Sequence, residues 1–315
     1  MWAIEAKKFG IWVRQSLKIS VGTLWMSKMA SGFHSSQQSD SGRGISPEII
    51  PVERLKTLVC APTYNEVESI GILLDAILTL PEKFDILIID DGSTDGTLAS
   101  IEERTRRDPR VGLINRGRKL GIGSAHRLAW LYARSLGYAR IVTLDADLSH
   151  DPADIPRLVA ALDAGADVAL GSRFTPGGRL DYRGWRRFAS RSANGLARLL
   201  LRLPMMEYTT SLRAASLDRV PIGLVESNAA DGYTFFLTCA AHFARAGLKL
   251  AEIPIYFRQR HGGQSKLPPS EIVRGVFNLL SLAMHRQAQF TIPFAQHDWH
   301  VEHQFAMQPL AKPSD

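Results

Sequence analysis

Cysteine is scarce, with Cys60 and Cys239 the only two thiols in 315 residues. Two cysteines this far apart make neither a disulfide framework nor a metal knuckle, so they read as reduced core thiols and favour a cytosolic compartment. Long apolar runs are missing too. The best C-terminal candidate, Ile272 to Met284, is broken by Arg274 and Asn278 and stops at His285-Arg286. That falls short of the roughly 18 apolar residues a spanning helix needs, so any membrane association is expected to be peripheral. Glycine is lacking after the first expected strand, where Ala61-Pro62-Thr63-Tyr64-Asn65-Glu66 stands. The dinucleotide fingerprint needs glycines there, which argues against a dehydrogenase. Acids are nearly missing at the start, where Glu5 faces Lys7, Lys8, Arg14, Lys18 and Lys28, with Trp2, Trp12 and Trp25 interleaved. Together with the Ser/Gly-rich stretch Ser31 to Ser46, this segment reads either as a basic amphipathic anchor or leader, or as a plain extension.

What is present is a chain able to bury a full core, 45% hydrophobic, with a formal net charge of +7. The charge implies an anionic partner, which nucleotide, lipid headgroup or nucleic acid would satisfy; no nucleic-acid module accompanies it, so no nucleic-acid partner is expected. From Lys56 short β-branched runs alternate with amphipathic stretches. Strands are expected at Thr57–Pro62, Phe84–Ile89, Val111–Asn115, Arg140–Leu144 and Asp167–Gly171. Helices are expected at Val67–Leu80, Thr97–Arg107, Ser124–Leu136, Pro152–Ala164 and Asn194–Leu203. Continuous apolar strands between helices imply an α/β, Rossmann-like fold with a mostly parallel central sheet. Three regions follow: a basic extension (1–55), a catalytic domain (56–272), and a C-terminal helix with a polar tail (273–315). His297, His300 and His303 fall in that tail and lack the acid or cysteine that would complete a metal site.

In such sheets ligands gather beyond the carboxyl ends of the strands. The second strand ends in Asp90-Asp91-Gly92-Ser93-Thr94-Asp95-Gly96, a turn with caps for the next helix and two adjacent carboxylates. The fourth ends in Asp145-Ala146-Asp147-Leu148-Ser149-His150-Asp151. Acids at i and i+2 in extended backbone point the same way, so Asp145 and Asp147 can share one hard cation, Mg2+ or Mn2+, and hold a diphosphate beyond it. Asp90 and Asp91 are expected on the same rim, four carboxylates around one cation. The Gly117–Ala125 segment opens a helix whose N–H groups either meet phosphate or simply turn the chain. Arginine is dense from Arg173 to Arg202, with Arg179, Arg183, Arg186, Arg187, Arg191 and Arg198 between. Guanidinium groups suit phosphate, although Arg198 and Arg202 also read as a solvated helix face.

Pro62-Thr63-Tyr64-Asn65-Glu66, Asp90 to Thr97 and Asp145 to His150, in that order and spacing, resemble the family-2 inverting glycosyltransferases. Gly171-Ser172-Arg173-Phe174, Pro176-Gly177-Gly178, Thr210-Ser211-Leu212-Arg213 and Arg260-His261-Gly262-Gly263-Gln264-Ser265-Lys266-Leu267 are similar to its dolichol-phosphate and polyprenol-phosphate mannosyltransferase branch. The resemblance spans about Lys56 to Ile272 and implies a GT-A fold. It implies that Pro62, Tyr64, Glu66, Ile89 and Asp91 surround the nucleotide. It further implies that Asp145, Ala146 and Asp147 contact the diphosphate and its metal, and that Arg173, Arg260 and Lys266 bind donor and acceptor phosphates, with Asp147 and Arg213 as catalytic residues. The implied reaction moves mannose from GDP-mannose to a polyprenyl or dolichyl phosphate on the cytosolic face of a membrane, with room for membrane-spanning partner subunits. UDP-glucose as donor, a glycan hydroxyl as acceptor, or a non-catalytic nucleotide-binding subunit are the alternatives. Three departures from the branch pattern stand out: Glu207 for an aspartate, Thr210 and Leu212 within the arginine element, and Leu237-Thr238 where a glutamate is common.

Overall fold

The computed structural model describes residues 56–181, 184–228, 230, 232, 234–260, 269–284 and 306–308. The expectations for residues 1–55, for Lys266 and the segment 261–268, for Arg183, and for His297, His300 and His303 lie outside the described residues.

An eight-stranded sheet forms the centre, in the order β10-β3-β2-β1-β4-β7-β5-β8. Its strands are β1 (Thr57–Thr63), β2 (Asp85–Asp90), β3 (Val111–Asn115), β4 (Arg140–Thr143), β5 (Val168–Ser172), β7 (Arg213–Ser216), β8 (Leu250–Pro254) and β10 (Ala306–Gln308). A short parallel pair, β6 (Arg179–Leu180) and β9 (Tyr256–Phe257), stands beside it. The main sheet is mostly parallel, as its apolar runs imply; β7 runs antiparallel between β4 and β5, and β10 runs antiparallel to β3. The tail expected to be merely polar therefore contributes a strand.

The helices are α1 (Val67–Leu78), α2 (Thr97–Arg107), α3 (Ile122–Ser135), α4 (Ile155–Asp163), α5 (Gly184–Leu201), α6 (Gly223–Glu226), α7 (Thr234–Arg245) and α8 (Pro269–Met284). In α1 the buried residues Ile70, Leu73, Leu74 and Ile77 fall at i, i+3, i+4 and i+7, one helical stripe. Ile155, Leu158, Val159 and Leu162 of α4 repeat that spacing.

Helices cover both faces of the sheet, and β1 shows why. Leu58 and Cys60 point into a core with Trp130 of α3 and Phe236 and Phe243 of α7. Val59 and Ala61 point into a second core with Leu73, Ile101 and Leu158 of α1, α2 and α4. Side chains alternate across a strand, so a run that is apolar at every position is buried on both faces. Burying each of the larger side chains contributes about 1.5–3 kcal/mol. Since β1 lies between β2 and β4 and parallel to both, Thr63 pairs with Asp90 and Cys60 with Thr143. The three motif-bearing loops thus leave the same edge of the sheet.

Candidate active site at the carboxyl edge

The loops after β1, β2 and β3 are laced to one another. Asp90 is wholly buried, and its carboxylate accepts the N–H groups of Gly92 and Ser93 at 2.9 and 2.7 Å and the Ser93 hydroxyl at 2.5 Å. Ser93 Oγ in turn accepts the N–H of Asn65 at 2.8 Å, and Asn65, held at φ 54°, accepts the N–H of Thr94 through Oδ1 at 2.9 Å. The start of α1 is capped from the neighbouring loop: Thr97 Oγ1 accepts from the Glu66 N–H at 2.9 Å and Asp95 from the Val67 N–H at 3.2 Å. Those N–H groups have no partner within their own helix, so a carboxylate and a hydroxyl from β2's loop replace a local cap. Gly92 sits at φ 80°, and a Cβ there would lie 2.8 Å from the Gly117 backbone, so only glycine lets the second and third loops meet.

Asp91 faces that third loop. Its Oδ1 accepts Arg116 Nε at 2.6 Å and its Oδ2 accepts the N–H groups of Leu120 and Gly121 at 3.1 Å. Arg116 is itself anchored on Ser124 Oγ and the Gly121 carbonyl. Beside this knot Lys119 lies over the Tyr64 ring, 4.6 Å from its centroid. Pro62, Tyr64 and Glu66 are half-buried along the same rim.

On the other side of β1, the chain leaves β4 and turns. Asp147 accepts the Ser149 N–H on Oδ1 at 3.0 Å and the Nε and Nη2 of Arg260 on Oδ2 at 3.0 and 2.8 Å. Burial opposes charge on Asp147, but the hydroxyl and N–H of Ser149, then Arg260, outweigh it and hold the carboxyl below its ordinary range. For Asp145 the balance is reversed: burial first, then the Asp147 carboxylate, push it up. The two carboxylates are therefore close electrostatic neighbours. Leu148, next in the loop, sits at φ 61°, a left-handed conformation that a bulky residue adopts only under constraint. The constraint comes from β9, whose continuation places the Arg258 N–H on the Ser149 carbonyl at 2.9 Å and its guanidinium on Asp151 at 2.7 Å. His150 lies beneath, edge-on to Phe257, and burial drives its pKa down.

Arg173, just past β5, joins this loop to a cavity. Its Nε donates to the buried carboxylate of Glu207 at 3.0 Å and its Nη2 to Thr209 Oγ1 at 2.8 Å, while its charge bears on Asp145. The guanidinium also lies over Phe257, 4.8 Å from the centroid. The cavity, about 310 Å³, is lined by Arg173, Arg179 and Arg191 and by Asp181, with Phe174, Leu180 and Tyr256 among its walls. Gly178 also lines it, and a Cβ there would lie 2.6 Å from the Ser172 carbonyl oxygen.

Several expectations need correction. The four carboxylates do not converge on one cation: Asp90 is consumed by its own turn and Asp91 by Arg116, which leaves Asp145 and Asp147. Asp147 lies in a turn after β4, with Asp145 just before it, and neither is part of a strand. Among the described residues no group of three or more acids, histidines or cysteines is arranged to hold a metal. The donor chemistry of the pair still suits Mg2+ or Mn2+, which take one or two carboxylates and complete their shell with substrate phosphate and water. Ile89 is wholly buried in the core and Ala146 nearly so. Arg213, expected to be catalytic, is buried; it donates to the carbonyls of Thr210 at 2.8 Å, Tyr208 at 3.1 Å and Phe236 at 2.8 Å. Burial draws its pKa down to about 10, and it braces the 208–213 turn against α7. Leu237 is core on α7, whereas Glu207 is the partner of Arg173. Arg116 was missed. Its signal was a strong cation directly after an apolar strand, opposite two adjacent acids.

Residues 58–219 match Glycosyl transferase family 2. A polyprenol monophosphomannose synthase of Mycolicibacterium smegmatis is 36% identical over 77% of this chain and 92% of its own length. An undecaprenyl-phosphate mannosyltransferase of Micrococcus luteus is 32% identical over 71% of this chain and 93% of its own. Among solved structures, glucosyl-3-phosphoglycerate synthase of Mycobacterium tuberculosis with Mn2+, UDP and glucosyl-3-phosphoglycerate aligns at a TM-score of 0.53 and 21% identity. That alignment covers 74% of this chain and 80% of the other, a likeness of fold. The expected GT-A architecture is thus the observed one, and the chain belongs to glycosyl transferase family 2.

Proposed function

We propose that this chain transfers a sugar, with mannose from GDP-mannose the first choice, to the phosphate of a polyprenyl or dolichyl chain, inverting the anomeric carbon. The observation that carries the reading is the arginine-lined cavity beside the Asp145–Asp147 pair, with Arg173 belonging to both. Two relatives over 30% identical, named for mannosyl transfer to polyprenyl phosphates, support the same substrate class.

The chemistry asks for little acid–base help. A bond forms from an acceptor phosphate oxygen to the anomeric carbon as the bond from that carbon to the diphosphate oxygen breaks, and the electron pair leaves with the nucleoside diphosphate. The attacking oxygen is already anionic, so no proton must be removed. What the site must do is align two mutually repelling anions and stabilise charge on the one that departs. The laced loops around Tyr64, Glu66 and Asp91 form a rigid seat for the nucleoside. Asp145 and Asp147 would hold a divalent cation, which when bound supplies positive charge at the diphosphate. Arg173, fixed in direction by Glu207 and Thr209, presents its remaining surface to the cavity, where Arg179 and Arg191 hold the acceptor phosphate.

No helix among the described residues is long and apolar enough to cross a membrane. On α5, however, Phe188 and Leu199 are 75% and 68% exposed on one stripe, opposite the buried Asn194, Ala197 and Leu201. The exposed Arg191 and Arg198 flank it. On α8, which packs against α5, Phe277, Leu280 and Met284 form a second exposed apolar stripe opposite Leu279. In this reading the two stripes enter the headgroup boundary of a cytosolic leaflet and deliver the lipid phosphate to the cavity.

The test is to incubate the purified full chain with labelled GDP-mannose or UDP-glucose and a short polyprenyl phosphate. Mannosyl transfer is expected, abolished by EDTA and reduced about 10³-fold in Asp147→Ala. Transfer that persists undiminished in EDTA, or that labels the unphosphorylated polyprenol equally well, overturns the reading.

A further inference from the structure

The contact between Arg260 and Asp147 has no place in a resting metal site. Asp147 Oδ2 receives both Nε and Nη2 of Arg260, at 3.0 and 2.8 Å, while Oδ1 is bonded to the Ser149 N–H. The carboxylate that would coordinate a cation thus already holds a protein cation. The two side chains are 23% and 9% exposed, so the ion pair is largely shielded from water. The chain just before it is fixed: Arg258 is clipped to the Ser149 carbonyl and to Asp151. Arg260 therefore pivots two residues beyond an anchor that is part of the same loop.

Resting on the metal reading given above, we propose that Arg260 is a tethered counter-cation that occupies Asp147 until a nucleoside diphosphate arrives, so that the divalent metal binds together with the diphosphate and poorly without it. Two positive charges on one carboxylate repel each other, and the repulsion is strong where water is partly excluded. An arriving diphosphate changes the balance. It offers the guanidinium two phosphate oxygens that its fork can pair with, and it offers the metal further oxygen ligands. Arg260 then moves from carboxylate to phosphate, which ties metal affinity to an occupied donor site and keeps the carboxylate paired when that site is empty.

The experiment is Mn2+ binding to the full chain, followed by the electron paramagnetic resonance signal of free Mn2+, with and without GDP. Wild type is expected to bind Mn2+ weakly alone and at least about tenfold more tightly with GDP. Arg260→Gln should bind Mn2+ alone at least about tenfold more tightly than wild type, with a smaller further gain from GDP. Arg260→Lys, which keeps the charge, should stay near wild type, which separates charge exchange from a change in side-chain shape. Equal Mn2+ affinity of wild type and Arg260→Gln without GDP overturns the exchange while leaving the metal reading intact. Failure of wild type to bind Mn2+ even with GDP overturns both.

Discussion

The two sides of the sheet's carboxyl edge are built on opposite plans. Around β1, β2 and β3, acids and hydroxyls hold the loops themselves: Asp90 its own turn, Ser93 the Asn65 loop, Asp95 and Thr97 the start of α1, Asp91 the Arg116 loop. Around β5, β6 and β9, arginines face a cavity, and the helices next to it expose aromatic and aliphatic side chains. The first plan suits a ligand of fixed shape, which gains from donors that need no rearrangement on binding. The second suits a phosphate on a long apolar chain, where charge and surface matter more than outline.

The largest effect should come from breaking the laced side. Arg116→Met removes the ion pair from a carboxylate only 6% exposed, and breaking a buried pair from one side costs about 3–5 kcal/mol. Denaturant titration should show that loss. If the stability of the variant lies within 0.5 kcal/mol of wild type, the loops are not held together by Asp91 and the contrast between the sides fails.

Acid comes next. His126 on α3 is buried between Phe235 and Phe236, and burial first, then the charges of Arg213 and Arg116, lower its pKa from 6.5 to about 3. A histidine depressed on folding binds fewer protons in the native state. Its contribution is therefore complete above pH 6.5 and is lost as pH falls toward 3, at about 1.4 kcal/mol per unit. Stability measured from pH 7 to 5 should decline, with the buried His150 and His242 acting in the same direction, and His126→Phe should make the decline shallower. An unchanged slope in the variant would assign the acid sensitivity elsewhere.

On the open side the same logic predicts function lost without stability. Arg191 is exposed and lines the cavity. Arg191→Ala should raise the KM for polyprenyl phosphate about tenfold, close to 1.4 kcal/mol, while the donor KM and the unfolding midpoint stay put. A donor KM that rises in step would mean that the cavity serves the nucleotide.

Much of this contrast was legible in the chain, though unevenly. Apolar strands and i, i+3, i+4 helices announce themselves by period, so β1 to β5 and α1 to α4 fall within a few residues of expectation. β7 did not. Arg213-Ala214-Ala215-Ser216 has neither β-branched residues nor alternation, and it is a strand because β4 and β5 pair with it from both sides. At the site, residue types revealed which loops matter but not where each carboxylate points. Asp90 and Asp91 are adjacent in sequence and yet serve different partners, and Asp91's partner comes from 25 residues further along. Glu207 departs from the branch pattern by one methylene and pairs with Arg173, 34 residues earlier. Long-range pairing of this kind leaves no local mark.

The smallest effect tests the outermost part of the comparison. Phe277 is 69% exposed on α8, in line with Leu280 and Met284. A side chain already in water loses almost nothing on replacement, so Phe277→Ser should leave the unfolding midpoint within about 0.5 kcal/mol of wild type. If the stripe enters a lipid boundary, the same change removes apolar area that would be buried there, at about 25 cal/mol per Å². Partitioning onto vesicles containing anionic lipid should then weaken severalfold, with transfer to a short, water-dispersed polyprenyl phosphate unaffected. Unchanged partitioning would confine the open side's lipid contact to the cavity and to α5, where Phe188 and Leu199 would have to supply it alone.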